Sequence, residues 1–162
     1  MPSERSRVER IDTQVEAIMT ASRVLMAVSA ESLAAADETV TPQQVRALVA
    51  IASQGTMTAT GFAAALGVHA SSATRMCDRL VAVGLLDRRD DPADRRYLML
   101  DLTERGRAVV AAIMRQRRTI IKQILTRIPE GERPAVTAAF QRFAAAGGEA
   151  AARDLWLLGW QT

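Results

Sequence analysis

The sequence feature that most constrains the fold lies within residues 57–103, where two short helical patterns precede two strand patterns. The first helical pattern, TATGFAAAL, is followed by Gly67, and the second, from residue 70 to about residue 83, is followed by Gly84. Glycine commonly follows a helix because it adopts the left-handed conformation at little cost. The second pattern repeats apolar residues at spacings of three and four, which predicts one buried face: Ala73, Met76, Cys77, Leu80 and Val83.

The opposite face of the second predicted helix is polar and combines small hydroxyls with two arginines. Its members are Ser71, Ser72, Thr74, Arg75, Asp78 and Arg79. Hydroxyls bind phosphates or base edges without blocking close approach, and arginine can bond O6 and N7 of guanine together. This face therefore fits the major groove of DNA. The alternative is a helical hairpin with a solvated polar face, since a helix–turn–helix pattern alone is a weak signal.

The segment LLDRRDDPADRRYLMLDLT distinguishes these alternatives because it predicts a hairpin directly after the helices. Tyr97 and Met99 alternate with leucines in its second half, as in a half-buried strand. Four acids and four arginines share the hairpin: Asp87, Arg88, Arg89, Asp90, Asp91, Asp94, Arg95 and Arg96. Acids among arginines can orient the guanidinium groups. The pattern predicts a winged helix–turn–helix with a two-stranded β wing, the alternative being a solubilising turn.

With these motifs in order, the chain resembles the MarR family of bacterial transcription regulators. The matching pieces are TPQQVRALVAI, GFAAALGVHASSATRMCDRLVAVGLLDRR and DRRYLMLDLTERG, which cover roughly the middle half of the chain. Two residues depart from the family pattern. Gly61 replaces an acidic residue, which removes the capping box from Thr58, and His69 replaces a serine-like cap. Both departures predict looser helix entries within the same fold.

The resemblance implies a mostly α-helical homodimer that binds double-stranded DNA at a pseudo-palindromic operator, as a repressor released by a small, often aromatic ligand. In the family, the triplet corresponding to Asp94, Arg95 and Arg96 places an arginine at the minor groove. The residues expected to bind DNA are Thr58, Ser71, Ser72, Thr74, Arg75, Arg79, Arg88, Arg89, Asp94, Arg95 and Arg96. Two alternatives are a nucleoid-type DNA binder of low sequence specificity and a protein-interaction module that has lost DNA binding.

The flanking segments predict long helices outside the DNA-binding lobe. We expect an N-terminal dimerisation helix in residues 1–40, the lobe in residues 41–106 and C-terminal dimerisation helices in residues 107–162. Apolar residues follow spacings of three and four in the first segment, a pattern typical of helix–helix seams, although ordinary core packing would give it too. The last residues, LWLLGW, are too apolar to remain in water. The expected interface residues are Val8, Ile11, Val15, Phe140, Leu155, Trp156 and Leu158.

The remaining composition argues against catalysis and cofactors. The chain has one cysteine and one histidine, which excludes an internal disulfide and a four-ligand zinc site. Neither a nucleophile–base pair nor a phosphate-binding glycine loop is present, so we expect no enzyme activity, no metal and no cofactor. Cys77 fits a small core residue better than a redox switch. The run RQRR at residues 115–118 fits a solvated face, or else a surface on DNA or a cleft.

No stretch of the sequence reads as a secretory signal or as a membrane span of about 20 apolar residues. The formal net charge of +3 permits DNA binding without demanding it, so the placement of charge matters more than its total. Of the 21 basic residues only Lys122 is not arginine, and arginine is the residue better suited to phosphate and base recognition. We therefore expect a cytoplasmic protein without a membrane partner.

Overall fold

A computed structural model describes residues 4–34, 40–90 and 98–148, with the side chains described from residue 10 onward. The helices are α1 (Glu4–Ala34), α2 (Pro42–Gln54), α3 (Ala59–Leu66), α4 (Ala70–Ala82), α5 (Glu104–Thr126) and α6 (Arg133–Ala146), the last preceded by a 3₁₀ turn at Glu130–Glu132. The strands are β1 (Met57–Thr58), β2 (Leu86–Asp90) and β3 (Leu98–Leu102). The predicted order of two short helices, a hairpin and flanking long helices is confirmed, and the helix predicted from residue 70 to about residue 83 is observed as Ala70–Ala82.

The helices begin where the sequence provides capping side chains. Thr41 caps α2 by accepting a hydrogen bond from the amide of Gln44, and the Gln44 side chain accepts one from the amide of Thr41. Pro42 occupies the first turn, where a missing N–H costs nothing. Thr103 caps α5 by accepting from the amide of Gly106 at 2.9 Å. These caps satisfy amides that a helix would otherwise leave unpaired at its first turn.

The core of the helix–turn–helix lobe lies where α2, α3 and α4 pack against the sheet. It is aliphatic apart from Phe62, and its fully buried members include Leu48, Ile51, Leu80 and Leu100. Val110, from the first half of α5, joins the same cluster. The lobe therefore has a continuous apolar core to which the long helix α5 is also attached.

The sheet has three strands in the order β1–β3–β2, all antiparallel: β2 and β3 form the predicted two-stranded wing, and β1 is an additional strand that the sequence did not predict. Leu86 pairs with Leu102 and Asp90 with Leu98, as expected of the hairpin. The additional strand pairs Met57 with Leu100 on the other edge of β3. It forms because Met57 is buried in the core and the residue that caps α3 must be extended in any case. The wing is thereby fixed to the entrance of α3.

Helix α1 packs against α5 but leaves most of its surface exposed within one protomer. Val28 and Ser32 are its only buried residues among those with described side chains. Its segment Arg10–Ala34 is long and apolar enough, by length and composition alone, to cross a membrane. The expectation that no stretch approaches a membrane span was therefore too strict. One helix of this length and composition near the N-terminus is weak evidence for a membrane protein.

The start of α5 lies close against the backbone at the end of the helix–turn–helix. Gly84, in the turn that follows α4, has a left-handed backbone with φ of 71°, and β2 begins two residues later at Leu86. A Cβ atom added at Gly106 would overlap the Leu85 carbonyl oxygen. The hydroxyl of Thr103 also donates to the Gly84 carbonyl at 2.7 Å. Glycine at position 106 thus allows α5 to begin against this turn.

We predict that Gly106→Ala destabilises the fold, because the added methyl group meets backbone rather than a flexible side chain. Overpacking of this kind costs about 1–3 kcal/mol, which exceeds the gain of about 1 kcal/mol from the better helix propensity of alanine. Chemical denaturation measures the difference. The control is Gly131→Ala, where a Cβ meets nothing within 4 Å and the change should stay within about 0.5 kcal/mol. Equal stability of the two variants would contradict the close approach.

Candidate nucleic-acid interface

Helix α4 separates a buried apolar face from an exposed polar one, as its sequence pattern predicts. Ala73, Cys77 and Leu80 are buried in the lobe core. On the other side, the exposed residues are Ser71, Thr74, Arg75, Asp78 and Arg79, with Ser72 half-buried. The exposed face thus presents hydroxyls and two guanidinium groups from one rigid helix.

Two hydroxyls of this region are already engaged in local hydrogen bonds. Thr74 Oγ1 donates to the carbonyl of Ala70 at 2.9 Å, and Ser72 Oγ lies 3.5 Å from an Nη atom of Arg75. The Thr74 oxygen retains lone pairs for a further donor, and the Ser72 contact lies at the long limit of a hydrogen bond. Arg75 and Arg79 are separated by one helical turn and therefore project from the same side of α4.

The two helix entrances differ in how they are capped. Thr58 is half-buried, and its hydroxyl accepts from the amide of Gly61 at 3.1 Å, so α3 keeps one half of a capping box. Gly61 has no side chain to return the second bond. His69 precedes α4 without any side-chain capping bond, as expected. The side chain of His69 therefore does not cap the positive N-terminal end of α4, the helix that carries the exposed arginines.

The base of the wing is joined to α4 by an ion pair that the sequence did not predict. Arg88 of β2 places an Nη atom 2.7 Å from a carboxylate oxygen of Asp78 in α4. The side chain of Asp78 is more than half exposed and that of Arg88 about one third, so the pair contributes no more than about 1 kcal/mol to stability. Its main effect is geometric, because it fixes the wing relative to the exposed face of α4.

A second set of ion pairs joins the wing to the start of α5. Arg89 bonds Asp87 at 2.9 Å and approaches Asp101 of β3 at 3.6 Å. Arg107 approaches the other oxygen of Asp101 at 3.6 Å and donates to the Leu102 carbonyl at 2.6 Å. Arg88 and Arg89, which we expected to bind DNA, thus both have acidic partners within the lobe. An arginine held in this way keeps donors for a phosphate, since a guanidinium has five N–H groups.

Several predicted site residues lie outside the described part of the chain. These are Asp94, Arg95 and Arg96 in the wing and Leu155, Trp156 and Leu158 near the C-terminus; the side chain of Val8 is not described either. Sequence reasoning also missed roles for Asp78, Asp101 and Arg107. Their partners lie on other elements, and no spacing within the sequence encodes those contacts.

The three described residues of the predicted dimer interface are apolar and exposed within one protomer. The exposed fraction is 53% for Ile11, 47% for Val15 and 46% for Phe140. Further large apolar side chains are exposed on the same two helices: Ile18, Met19, Val24, Leu25, Met26 and Phe143. Helices α1 and α6 thus have an extended apolar surface that is exposed in the described part of the chain and is larger than isolated surface residues would give.

Cys77 is buried on the inner face of α4, next to the wing arginine Arg88. Burial raises the pKa of its thiol, and the neighbouring Arg88, which lowers the pKa through charge and a hydrogen bond, offsets this only in part. The thiolate is the reactive form of cysteine, so a raised pKa and burial both reduce reactivity. This environment fits a core residue.

We predict that Cys77 reacts with a water-soluble disulfide reagent at pH 8 at least about tenfold more slowly in the folded protein than in denaturant. Because the chain has a single cysteine, the absorbance change reports on this residue alone. A small model thiol measured in both solvents controls for effects of the denaturant. Labelling of the folded protein at the unfolded rate would show that the thiol is accessible and ionised.

Comparison with known proteins places this lobe among transcription regulators. The sequence model of the MarR family matches residues 39–96. The uncharacterized HTH-type transcriptional regulator Mb0904 of Mycobacterium bovis is 31% identical over 90 residues, which are 56% of this chain and 63% of the relative. The HTH-type transcriptional repressor MdtR of Bacillus subtilis is 30% identical over 57% of this chain and 60% of its own length. The match thus spans less than two thirds of these curated relatives.

Solved structures extend the similarity to the flanking helices. The crystal structure of RV1404 from Mycobacterium tuberculosis is 42% identical, covers 86% of this chain and 95% of its own, and superposes with a TM-score of 0.81. BpsR of Bordetella bronchiseptica, whose DNA binding is regulated by 6-hydroxynicotinic acid, shares the fold at 24% identity with a TM-score of 0.52, over 77% of this chain and 98% of its own.

Proposed function

The chain belongs to the MarR family, and on this premise we propose that the protein is a homodimeric, sequence-specific DNA-binding transcription regulator, acting as a repressor that a small ligand releases. The observation that carries the proposal is the exposed polar face of α4, with Arg75 and Arg79 one turn apart beside an arginine-containing wing. Helix α4 enters the major groove, and the wing tip reaches the adjacent minor groove.

We assign the DNA contacts to two sets of residues. In the major groove, Arg75 and Arg79 bond base edges, while Ser71, Ser72 and Thr74 bond phosphates or bases. In the wing, Arg95 and Arg96 provide the minor-groove contact and Asp94 orients them. Arg88 and Arg89 contact the DNA backbone while their acidic partners hold them, and Thr58 lies at the edge of this surface.

The dimer interface is formed from the exposed apolar surfaces of α1 and α6 together with the C-terminal residues. A pair of chains buries side chains that one chain leaves in water, which is the main driving force for association. Two α4 helices then lie about 34 Å apart, one turn of DNA, as a pseudo-palindromic operator requires. A single protomer would therefore bind only half of the site.

The ligand site of the proposed repressor lies where α1, α2 and α5 meet. Val45 of α2 and Ile113 of α5 are buried there, with Leu33 of α1 packed against them. A ligand at this junction contacts both the dimerisation helices and the DNA-binding lobe, so it can change the distance between the two α4 helices. The ligand releases DNA only if it binds the dimer more tightly when the two α4 helices have their DNA-free spacing than when they have their DNA-bound spacing.

We predict that Arg75→Ala and Arg79→Ala reveal which arginine reads a base. Loss of a bond to guanine costs about 1–3 kcal/mol and relaxes the preference at one base position, whereas loss of a phosphate contact weakens binding to all sequences alike. Selection of sites from a random DNA pool, with each variant and the unmodified protein, separates the two. If both variants retain full affinity and the same selected sequence, the assignment of α4 to the major groove is wrong.

We predict that Arg95→Ala/Arg96→Ala weakens operator binding at least tenfold at fixed salt while the dimer remains folded, because minor-groove arginine contacts are lost. The matched control is Arg127→Ala at the exposed C-terminal end of α5, outside the DNA-binding lobe. An electrophoretic shift titration measures the affinity of each. A wing variant that binds like the control would remove the wing tip from the interface.

We predict that Ile11→Glu/Val15→Glu converts the dimer to a monomer, because two charges replace apolar groups in the proposed interface and would be buried without partners. Sedimentation velocity measures the change, and operator affinity should fall with it. The control is Thr13→Glu/Thr20→Glu, which adds the same charge at exposed polar positions on the other side of the same helix. A charged variant that remains a dimer would place the interface elsewhere.

To distinguish this function from nucleoid-type binding, operator binding is measured against an excess of unrelated DNA. A specific regulator prefers its site by roughly 10³-fold or more. A protein that binds both DNAs equally would be a low-specificity binder, and one that binds neither would fit the interaction module without DNA binding.

A further inference from the structure

An acidic residue lies in the middle of the exposed polar face of α4. Asp78 follows Thr74 by four residues and Arg75 by three, so it stands one helical turn beyond them on the same side of the helix. The buried residues Cys77 and Leu80 belong to the opposite side. The phosphates of DNA repel a carboxylate in this position. Its approach to DNA is therefore unfavourable unless hydrogen-bond donors surround it.

Arg88 of the wing holds this carboxylate in one orientation. One of its Nη atoms lies 2.7 Å from Oδ1 of Asp78, a distance typical of a charge-assisted hydrogen bond. The side chain of Asp78 is 55% exposed and that of Arg88 33%, so the carboxylate is the outer member of the pair. The second oxygen, Oδ2, has no hydrogen-bond partner among the residues that the structure describes. It is thus available to a group outside the chain.

The available oxygen can bind only a donor, because an ionised carboxylate accepts hydrogen bonds and donates none. In the major groove, guanine and thymine present acceptors, adenine presents its N6 donor beside the N7 acceptor, and cytosine presents the N4 donor alone. A carboxylate is therefore attracted to cytosine, is opposed in part by N7 of adenine, and is repelled by guanine and thymine.

We propose that Asp78 is a specificity-determining residue that accepts a hydrogen bond from N4 of one cytosine in each half-site. The inference rests on the proposed function, because it names a base that the exposed face of α4 selects. Arg88 is then a positioning residue, since it directs the carboxylate and compensates its charge. Three residues rise about 4.5 Å along a helix, and base pairs are stacked about 3.4 Å apart. The cytosine therefore lies within about one base pair of the base that Arg75 contacts.

A purely structural role explains less of the geometry of Asp78. An acid that only fixed the wing could be largely covered, as Asp101 is: its side chain is 31% exposed and its two oxygens approach Arg89 and Arg107. Asp78 instead has its carboxylate on the surface and a single arginine, Arg88, as its partner among the described residues. The two roles also predict different results, because loss of a structural acid would change binding to all sequences alike.

Selection of sites from a random DNA pool, with the unmodified dimer and two variants of Asp78, tests the proposal. For the unmodified protein we expect cytosine at one position of each half-site, preferred at least about fivefold over any other base. Asp78→Ala should lose this preference and keep the others. Asp78→Asn should change the preferred base to adenine, because an amide side chain bonds N6 and N7 together.

The matched control is Asp87→Asn, which makes the same exchange in a half-exposed carboxylate that accepts from Arg89 at 2.9 Å. This variant should select the same sequence as the unmodified protein. Thermal unfolding shows that each variant is folded. If the Asp78 variants bind all sequences more weakly, or all more tightly, by one common factor, Asp78 is only a partner of Arg88 or a source of repulsion, and the proposal is overturned.

A modified operator tests the same contact in the unmodified protein and does not depend on how the variants fold. N4-methylcytosine keeps its pairing with guanine but replaces the hydrogen that faces the major groove by a methyl group. At the selected position it should weaken binding at least about fivefold, and at a cytosine outside the operator it should have no effect. Asp78→Ala should bind both operators equally. Equal binding of both operators by the unmodified protein would overturn the proposal.

The sequence selected by the unmodified protein separates a failure at Asp78 from a failure of the proposed function. If that sequence depends on Arg75 or Arg79 but contains no cytosine that is sensitive to Asp78, the inference fails and the proposed function stands. If the unmodified protein selects no sequence at all, the proposed function fails and the inference fails with it.

Discussion

The contact on which the rest of the structure depends is the one between the first turn of α5 and the turn that ends α4. Gly106 approaches the carbonyl of Leu85, Thr103 donates to the carbonyl of Gly84 at 2.7 Å, and Arg105 donates to the carbonyl of Val83 at 2.9 Å. Carbonyls at the end of α4 that would otherwise lack intrahelical donors are thereby paired with the start of the next long helix. Because α5 also packs against α1, the orientation of the exposed arginines of α4 is determined relative to these two long helices.

The ion pairs around the wing extend this fixed geometry to the exposed polar face of α4. Asp78 binds Arg88, and Asp101 lies between Arg89 and Arg107, so α4, both long strands and α5 are linked by charged contacts. These side chains are partly exposed, and each pair contributes little to the free energy of unfolding. What they determine is the direction of the arginines. These contacts attach the lobe to the start of α5 as one unit.

The sequence was sufficient for the parts of the fold that depend on local chemistry. The predicted helix from residue 70 to about residue 83 is observed as Ala70–Ala82, because its apolar spacing and Gly84 determine both its face and its end. Strand β1 was missed because two residues, Met57 and Thr58, show no periodicity and pair only when β3 is in place. The ion pair of Arg88 was missed for the same reason: whether an arginine is paired or exposed depends on other elements, and a charged run has the same pattern in each case.

The central claim is that two α4 helices, fixed by α5 in one dimer, read two half-sites of one operator. Hydroxyl-radical footprinting on the DNA that flanks the protein's own gene tests this most directly, in the presence of excess unrelated DNA. We expect two protected segments on one face of the duplex, with centres about 10 base pairs apart and a common inverted sequence. Uniform protection along the fragment that is abolished by the unrelated competitor DNA would contradict this claim.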